Sequence, residues 1–415
     1  MTKISQRSGG SRVLLQGNEA IARGALEGGA VFCAAYPGNP SSEIIETLAE
    51  ASKDLPIYVE WSVNEKVALE AATAASFAGC RALVSMKQNG VNVASDFLTN
   101  LTLSGTKGGI ILISCDDPSG ISSTNEEDSR VFAKLAEIPL LEPATPQEAL
   151  EMTKWALELS EKIKQIVMLR SVSRLSHTRS DVVLGNLPDL KQMPHFDLNV
   201  PFHNFPIIDK HIQRHQKLDQ TEEMFENSPF NQYEGPPNPE LLVISSGCAW
   251  TYAREALDTL NLSDRVGLLK LGTTWPLPKR FLKKHLKRCD RILFVEEVDP
   301  FLEDNVKSLA ADMGKEIGVK EFMGKASWHV PDYGEQSPEV VIGVLGKIFD
   351  LDWEMKTFRD KVGSWLEDMI PPREFGFCAG CPHRGSYYAI KTALAWDGKE
   401  GFVSGDIGCY AMGLF

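Results

Sequence analysis

The sequence ALVSMKQNGVNVASDFLTNLTLSGTKGGIILIS, residues 82–114, begins and ends with a short apolar run and has a helical pattern between them. Apolar runs of this length, bounded by turn signals, are typical of strands buried on both faces. The first third of the chain repeats the alternation, with apolar runs at residues 31–36 and 166–170 and candidate helices near residues 17–29, 41–52, 64–78, 127–136 and 147–160. Strand, helix and strand in this order predict crossover units, a mostly parallel sheet and an α/β fold.

A second alternating region follows, with apolar runs at residues 241–247, 266–271 and 291–297 and candidate helices near residues 249–260, 278–288, 301–312 and 338–349. Residues 176–238, which lie between the two regions, contain many prolines and show no sustained periodicity, so we expect an interdomain segment. His211 and His215 in that segment have the i, i+4 spacing of a metal pair, but they lack the intervening glutamate of a metalloprotease helix, so we predict no metal role.

Composition excludes several classes of function. The chain has 415 residues, 43% of them hydrophobic, a formal net charge of -13 and a pI of about 5.2, and this balance repels nucleic acid and anionic lipid. No apolar run reaches the roughly 18 residues that a membrane span needs. Residues 1–10 lack the apolar core of a signal peptide and predict a short disordered lead. We therefore expect a cytoplasmic, multidomain globule.

Eight cysteines in a chain of this length do not predict a disulfide framework. We expect five of them to be ordinary core or surface thiols, namely Cys33, Cys80, Cys115, Cys248 and Cys289. The other three lie near the end. Cys378 and Cys381 have C-x-x-C spacing and Cys409 follows 28 residues later, a pattern that fits an iron–sulfur cluster, a zinc site or a dithiol.

The helical run over residues 64–79 is rich in small residues and is opened by Asn64 and Glu65. A carboxylate in the first turn is favoured by the helix dipole, yet desolvating a lone acid on a closely packed helix is costly. Glu65 is therefore either a cap at a solvated edge or a functional acid.

Two polar segments follow predicted strands at the carboxyl edge of the sheet, where α/β folds bind ligands. In the first, Pro37, Gly38, Asn39 and Pro40 precede a helix, and we expect Asn39 to be its N-cap and Pro40 its first residue. Free backbone N–H groups in that turn suit an anion, but an ordinary capped helix has the same pattern. The second segment, residues 116–130, predicts a flexible loop, either ligand-binding or merely solvated.

Together, these segments resemble the large subunit of the indolepyruvate ferredoxin oxidoreductases, thiamine diphosphate enzymes of the 2-oxoacid ferredoxin oxidoreductase group. The matching stretches, in the family's order, are residues 17–24, 36–44, 60–68, 86–90, 378–385 and 405–410. The resemblance implies an α/β fold with thiamine diphosphate-binding-type parallel sheets and a transketolase C-terminal-like middle domain. The implied organisation is a pyrimidine-binding domain (1–180), an interdomain segment (181–238), the middle domain (239–370) and the start of a diphosphate-binding domain (371–415).

The resemblance also implies roles for single residues. Glu65 matches the glutamate that hydrogen-bonds N1′ of the aminopyrimidine and promotes proton removal from the thiazolium, a role that suits a partly desolvated carboxyl of raised pKa. Pro37, Gly38 and Asn39 match a turn near the substrate and cofactor, although the family usually has threonine where this chain has Asn39. Gly405 and Asp406 match the start of the motif that holds Mg²⁺ on the diphosphate. Three ligands of a 4Fe-4S cluster are matched by Cys378, Cys381 and Cys409.

The activity that the resemblance implies is oxidative decarboxylation of an aryl 2-oxoacid to the acyl-CoA, with electrons passing to ferredoxin. Coenzyme A, a small beta subunit and an oligomeric assembly are expected with it. Two alternatives are a sibling enzyme with another 2-oxoacid and a non-catalytic module that docks a partner subunit. The rest of the magnesium motif would lie beyond Phe415, so we expect a truncated chain, or one that a partner completes, unable to hold the whole cofactor by itself.

Overall fold

A computed structural model of the chain describes residues 3–351, 363, 365–366, 369, 376–399, 401–405 and 409–414. The chain forms two compact units, Met1–Leu351 and Asp352–Phe415. The first unit holds two large sheets, mainly parallel, and a two-stranded antiparallel ribbon, so the predicted α/β fold is confirmed. Within the described residues, no helix has the length and apolar character needed to cross a membrane.

The strands are β1 Arg12–Gln16, β2 Phe32–Ala35, β3 Tyr58–Trp61, β4 Ala82–Lys87, β5 Ile110–Asp116, β6 Leu140–Leu141, β7 Val167–Val172, β8 Arg179–Val183, β9 Gln232–Glu234, β10 Leu241–Ser245, β11 Val266–Lys270, β12 Thr273–Trp275, β13 Arg291–Val295 and β14 Glu321–Met323. The α-helices are α1 Gly17–Glu27, α2 Ser42–Ala51, α3 Glu65–Phe77, α4 Gln88–Ser104, α5 Arg130–Ala136, α6 Pro146–Ile163, α7 Ser173–His177, α8 Ile207–Phe225, α9 Gly247–Thr259, α10 Lys279–Leu286, α11 Phe301–Asp312, α12 Gly314–Ile317, α13 Pro338–Ile348 and α14 Pro382–Asp397. Short 3₁₀ helices cover Lys3–Ser5, Pro118–Gly120 and Cys409–Leu414.

The first sheet has the strand order β12-β6-β7-β5-β4-β2-β3, and every neighbouring pair is parallel except β12 with β6. Strands β5 and β7 are buried along their whole length, as the continuous apolar runs predict. Helices α3 and α4 pack small and branched side chains against one face, so the core contains Ala68, Ala72, Val91 and Ala94. This packing fixes the positions at which α3 and α4 begin.

The second sheet has the order β14-β13-β10-β11-β9, with β9 antiparallel to β11 and the other pairs parallel. Its three central strands match the apolar runs predicted for residues 241–297. Strand β12, from the same part of the chain, joins the first sheet instead, where Thr273 pairs with Leu141. The two halves of the first unit therefore share a sheet.

Residues 176–238, which show no sustained periodicity in the sequence, hold β8, β9 and the 19-residue helix α8. Only Thr221 and Phe225 of α8 are buried, so the helix has no long apolar stripe for a periodicity to reveal. Polar contacts hold it in place. Lys217 Nζ donates to the Lys164 carbonyl at 2.6 Å, and Arg214 Nη1 donates to Thr102 Oγ1 at 3.2 Å.

The prediction of a disordered lead is wrong for the residues from Lys3 onwards. Ile4 is buried, and the buried Arg23 guanidinium donates to the carbonyls of Ile4 at 2.7 Å and Gln6 at 2.6 Å. Glu27 balances the arginine charge, with Oε1 at 2.7 Å from Nε. A buried arginine needs such partners, and the lead supplies them.

The five scattered cysteines are buried and unpaired, as predicted. In the second unit, α14 has no buried residue. Tyr387 of α14 donates to the Tyr410 carbonyl at 2.5 Å, which links the helix to the 3₁₀ turn at Cys409–Leu414.

Candidate functional site

The segments that follow β2, β5 and β7 and the loop that carries Glu335 meet at the carboxyl edge of the first sheet, beside the end of β4. The Asn39 amide donates to Ser122 Oγ at 2.8 Å, and Lys87 Nζ donates to the Ser122 carbonyl at 2.8 Å. Ser173 Oγ donates to Asp117 Oδ1 at 2.7 Å. A cavity of about 390 Å³ opens here, lined by Asn39, Asp117, Ile121, Ser122, Ser173, Arg174, His177, Thr178 and Glu335. The sheet thus gathers four loops around one polar cavity.

The prediction that Asn39 is the N-cap and Pro40 the first residue of α2 is wrong. Helix α2 begins at Ser42, and Ser41 holds the N-cap position. The turn is closed by the two serines, since Ser41 Oγ donates to the Gly38 carbonyl at 2.8 Å and the Gly38 N–H donates to Ser42 Oγ at 3.0 Å. The Asn39 side chain is exposed and turns instead toward the cavity.

The segment over residues 116–130 is not a solvated loop, because both of its ends are buried. Arg170 Nε donates to Asp116 Oδ2 at 2.6 Å, and Arg130 Nε donates to Asp128 Oδ1 at 2.8 Å. Burial alone would raise the pKa of Asp128, but Arg130 and Arg170 lower it to about 2. Two buried ion pairs thus anchor the loop, and its first half reaches the cavity through Asp117, Ile121 and Ser122.

Helix α3 begins at Glu65, as predicted, and the Asn64 side chain caps it by accepting the Val67 N–H at 2.9 Å. Glu65 is half-buried, and this burial raises the pKa of its carboxyl, although a hydrogen bond from its own backbone N–H partly offsets the increase. The apolar side chains of Trp61 and Val63 beside it are exposed. Glu65 is therefore an acid that holds a proton more readily than a solvated glutamate.

The space that Glu65 occupies exists because residue 90 is glycine. A β-carbon on Gly90 would lie 2.5 Å from Glu65 Cγ and 2.8 Å from Oε1. The side chain of Glu65 thus lies against the bare backbone of α4. A partly desolvated carboxyl in this position fits the aminopyrimidine nitrogen that the resemblance implies, since such a carboxyl can share a proton with a ring nitrogen.

The start of α4 connects Glu65 with the Asn39 turn. Gly90 in its first turn contacts Glu65, while a β-carbon on Gly38 would lie 3.0 Å from Lys87 Cβ. Glu65 and the cavity are therefore parts of one edge of the sheet.

Sequence reasoning gave no role to Lys87, Arg174 or His177. Burial lowers the pKa of Lys87, and the nearby Asp117 carboxylate partly offsets this. Arg174 forms two bonds with Glu335, from Nε at 2.9 Å and from Nη2 at 2.6 Å. A signal existed: Lys87 ends strand β4, and Arg174 and His177 follow strand β7, so all three lie at the ligand-binding edge of a parallel sheet.

The three clustered cysteines lie just before α14 and in the 3₁₀ turn that follows it. Cys378 and Cys409 are exposed, and the turn between Cys378 and Cys381 is closed by the Cys381 N–H donating to the Cys378 carbonyl at 3.1 Å. Over the described residues, the three thiols do not form a group within metal-coordination distance. Their role as cluster ligands therefore stays a prediction. A β-carbon on Gly405 would lie 3.7 Å from the Tyr387 hydroxyl, and Asp406 lies outside the described residues.

His211 and His215 are helical and approach a glutamate from another element. His215 Nε2 lies 3.2 Å from Glu137 Oε1, and His211 Nε2 lies 3.7 Å from Oε2. Arg214 Nε occupies the same carboxylate, 2.6 Å from Oε2. The arginine already neutralises Glu137, so the cluster is a polar anchor for α8.

Comparisons with known proteins agree with this geometry. Residues 23–211 match the family described as pyruvate flavodoxin/ferredoxin oxidoreductase, thiamine diphosphate-binding. The indolepyruvate oxidoreductase subunit IorA of Pyrococcus abyssi is 40% identical over 417 residues, which cover 98% of this chain and 62% of IorA. This chain therefore spans less than two thirds of that relative.

Two solved structures share the fold. The first, a 2-oxoglutarate:ferredoxin oxidoreductase from Magnetococcus marinus, superposes with a TM-score of 0.62 and 16% identity over 81% of this chain and 65% of its own. The second, an inactive split-gene transketolase tetramer, superposes with a TM-score of 0.51 and 11% sequence identity. That match covers 82% of this chain and 99% of the transketolase chain. The thiamine diphosphate-type α/β fold predicted from the sequence is thus confirmed. Residues 23–211 thus match the thiamine diphosphate-binding family of the pyruvate flavodoxin/ferredoxin oxidoreductases, and the chain is similar to the IorA subunits over almost its whole length.

Proposed function

We propose that this chain carries the pyrimidine-binding part of a 2-oxoacid oxidoreductase that converts an aryl 2-oxoacid of the indolepyruvate type to its acyl-CoA and reduces ferredoxin. The observation that carries the proposal is the Glu65 carboxyl, half-buried against Gly90 at the start of α3. The IorA relatives, named for indolepyruvate, support the substrate class. A small beta subunit, ferredoxin and coenzyme A are the partners that this activity requires.

Thiamine diphosphate, when bound, supplies a carbon nucleophile and an electron sink for the loss of CO₂ from a 2-oxoacid. In this proposal Glu65 holds a proton at N1′ of the aminopyrimidine, and the burial that raises the pKa of its carboxyl favours this shared proton. Gly90 keeps the carboxyl at this place. Helix α3 therefore provides the acid–base group.

The Asn39 turn, with Pro37 and Gly38, is proposed to contact the 2-oxoacid. Asn39 lines the cavity, and its amide is free of any role in helix α2. Lys87 and Arg174 add positive charge around the same loops, although the charge of Arg174 is paired with Glu335. The positive charge near the cavity favours a substrate with a carboxylate over a neutral ketone.

No step is assigned to Cys378, Cys381 and Cys409, because the three thiols do not form a single-ion site, or to Gly405 and Asp406, because Asp406 lies outside the described residues. Their roles as cluster and diphosphate ligands stay predictions.

The test is anaerobic turnover by the complete enzyme, purified with its partner subunit, with indolepyruvate, phenylpyruvate, pyruvate and 2-oxoglutarate compared at equal concentration. We expect ferredoxin reduction that requires coenzyme A and is fastest with the aryl substrates. Preference for pyruvate or 2-oxoglutarate would favour the sibling enzyme instead. The absence of turnover with all four, in a preparation that retains thiamine diphosphate, would favour a docking module.

A further inference from the structure

One hydrogen-bond chain at the cavity wall runs from the start of α1 to the loop after β5. Gln16 Nε2 lies 3.0 Å from His177 Nδ1, and His177 Nε2 lies 3.3 Å from Asn39 Oδ1. The Asn39 amide then donates to Ser122 Oγ at 2.8 Å. Four side chains from four separate parts of the sequence are joined in one line.

The hydrogen bond between Gln16 and His177 determines which atom donates and which accepts along the whole hydrogen-bond chain. An amide nitrogen can only donate, so His177 Nδ1 must accept from Gln16. A neutral imidazole that accepts at Nδ1 carries its proton on Nε2, and that proton is then donated to Asn39 Oδ1. The competing partner for Nδ1 is Glu43, but its Oε1 is 4.0 Å away and its Oε2 already accepts from Asn18 at 3.0 Å. The Nε2–H tautomer is therefore favoured.

This tautomer of His177 sets the orientation of the Asn39 carboxamide. With its oxygen occupied by His177, the carboxamide offers the cavity only N–H groups, and Ser122 takes one of the two. A 2-oxoacid anion presents carboxylate and ketone oxygens, which are all acceptors. A carboxamide free to rotate would present its oxygen to these acceptors part of the time, and that contact would be repulsive.

We propose that His177 is a positioning residue that locks the Asn39 carboxamide as a hydrogen-bond donor toward the 2-oxoacid. The inference rests on the proposed function, since it needs Asn39 to face the substrate. It explains how asparagine can serve at a position where a threonine hydroxyl would need no such orientation.

The test is a double-mutant cycle in the complete enzyme. His177→Phe keeps a ring but removes both nitrogens, and it is expected to raise KM for the 2-oxoacid about tenfold, the effect of roughly one hydrogen bond, with a smaller change in kcat. In an Asn39→Thr background the same substitution should change KM by less than about twofold, because a hydroxyl rotates to donate in either case. His177→Gln, which can accept and donate in the same line, should restore part of the affinity. His195→Phe, at an exposed histidine outside the cavity, is the matched control and should leave KM unchanged.

Equal effects of His177→Phe in both backgrounds, or an unchanged KM in the wild-type background, would overturn the proposal. A second measurement does not depend on turnover. A long-range ¹H–¹⁵N spectrum of ¹⁵N-histidine-labelled protein near pH 8, with the His177 signals identified by their loss in His177→Gln, should show a protonated Nε2 and a bare Nδ1. The opposite tautomer would overturn the hydrogen-bond chain even if 2-oxoacids are turned over. If no 2-oxoacid is a substrate, the proposed function is wrong. The tautomer of His177 would still test the hydrogen-bond chain in that case.

Discussion

In the first turn of α4, Gly90 leaves open the space that the Glu65 side chain fills. A β-carbon at 2.5 Å from Glu65 Cγ is well inside van der Waals contact, so any larger residue at position 90 must displace the glutamate. The position of the acid is thus set by a residue on a different helix.

Gly90→Ala is expected to lower turnover by about 10²-fold, because moving a reacting group by about 1 Å costs that much. The free energy of unfolding should change little, since alanine gains about 1 kcal/mol in helix propensity while the crowding costs a similar amount. Steady-state kinetics and urea unfolding measure the two effects. The control is Gly343→Ala on α13, where a β-carbon meets nothing within 4 Å and turnover should not change. Turnover of Gly90→Ala within about twofold of the wild type would show that Glu65 is misplaced.

Asn39 contributes to the cavity and not to the stability of α2. Asn39→Thr is expected to change KM for the 2-oxoacid by about threefold or more, because a shorter hydroxyl replaces the carboxamide at the cavity wall, while the melting temperature stays near that of the wild type. The contrast is Thr145→Ala, which removes a true cap, since Thr145 accepts the Glu148 N–H at 3.3 Å. That variant should lose about 1 kcal/mol of stability with KM unchanged. An Asn39→Thr variant that behaved like Thr145→Ala would restore the helix-cap interpretation.

At the scale of elements, buried charges connect the end of β13 with α5 and α11. Arg130 Nη1 donates to Glu296 Oε2 at 2.7 Å, and the same carboxylate accepts the N–H groups of Leu302 at 2.8 Å and Glu303 at 2.9 Å. Glu296 therefore satisfies two free N–H groups in the first turn of α11 and balances an arginine of the first sheet. Its neighbour Glu297 accepts from the Gln336 N–H at 2.8 Å and has no direct ion pair among the described residues.

Burial raises the pKa of Glu297 to about 7, against 4.5 for a glutamate in water. Between these two values the folded chain binds more protons than the unfolded chain, so the free energy of unfolding must fall as pH rises through that window. Glu297→Gln removes this titration. We expect the variant to have a flatter dependence of the free energy of unfolding on pH. It should be more stable than the wild type by about 1–3 kcal/mol at about pH 8, and this difference in stability should be smallest below about pH 5.

Urea unfolding across that pH range checks the prediction, with the exposed Glu158→Gln as control. A pH slope that Glu297→Gln leaves unchanged would mean that Glu297 is ionised at a normal pKa in the folded chain.

At the scale of the whole molecule, sequence patterns predicted best where burial is complete. The runs at residues 82–86, 109–114 and 166–170 match β4, β5 and β7, because strands covered on both faces must be apolar at every position. Helix α8 was missed because side-chain bonds to carbonyls and to Glu137 hold it, and these leave no periodic trace. Strand β12 was missed because pairing with β6 is a long-range event that three residues cannot signal.

The candidate site also has residues that the sequence predicts and residues that only the fold reveals. Glu65 could be predicted from a local pattern, an acid opening a helix of small residues. The partners that shape the site, Gly90 for Glu65 and His177 for Asn39, come from distant parts of the chain, and only the fold brings them together. The cysteine spacing was a local signal as well, and the cluster role that it indicates stays a prediction.

The central claim is that Glu65 is the proton partner of the aminopyrimidine. Hydrogen–deuterium exchange at C2 of bound thiamine diphosphate, followed by rapid acid quench and NMR in the complete enzyme, tests it most directly. Glu65→Gln keeps the shape of the side chain but removes the acid, so we predict that exchange slows by about 10²–10⁴-fold while the cofactor stays bound. Exchange by Glu65→Gln within about twofold of the wild-type rate would contradict the claim.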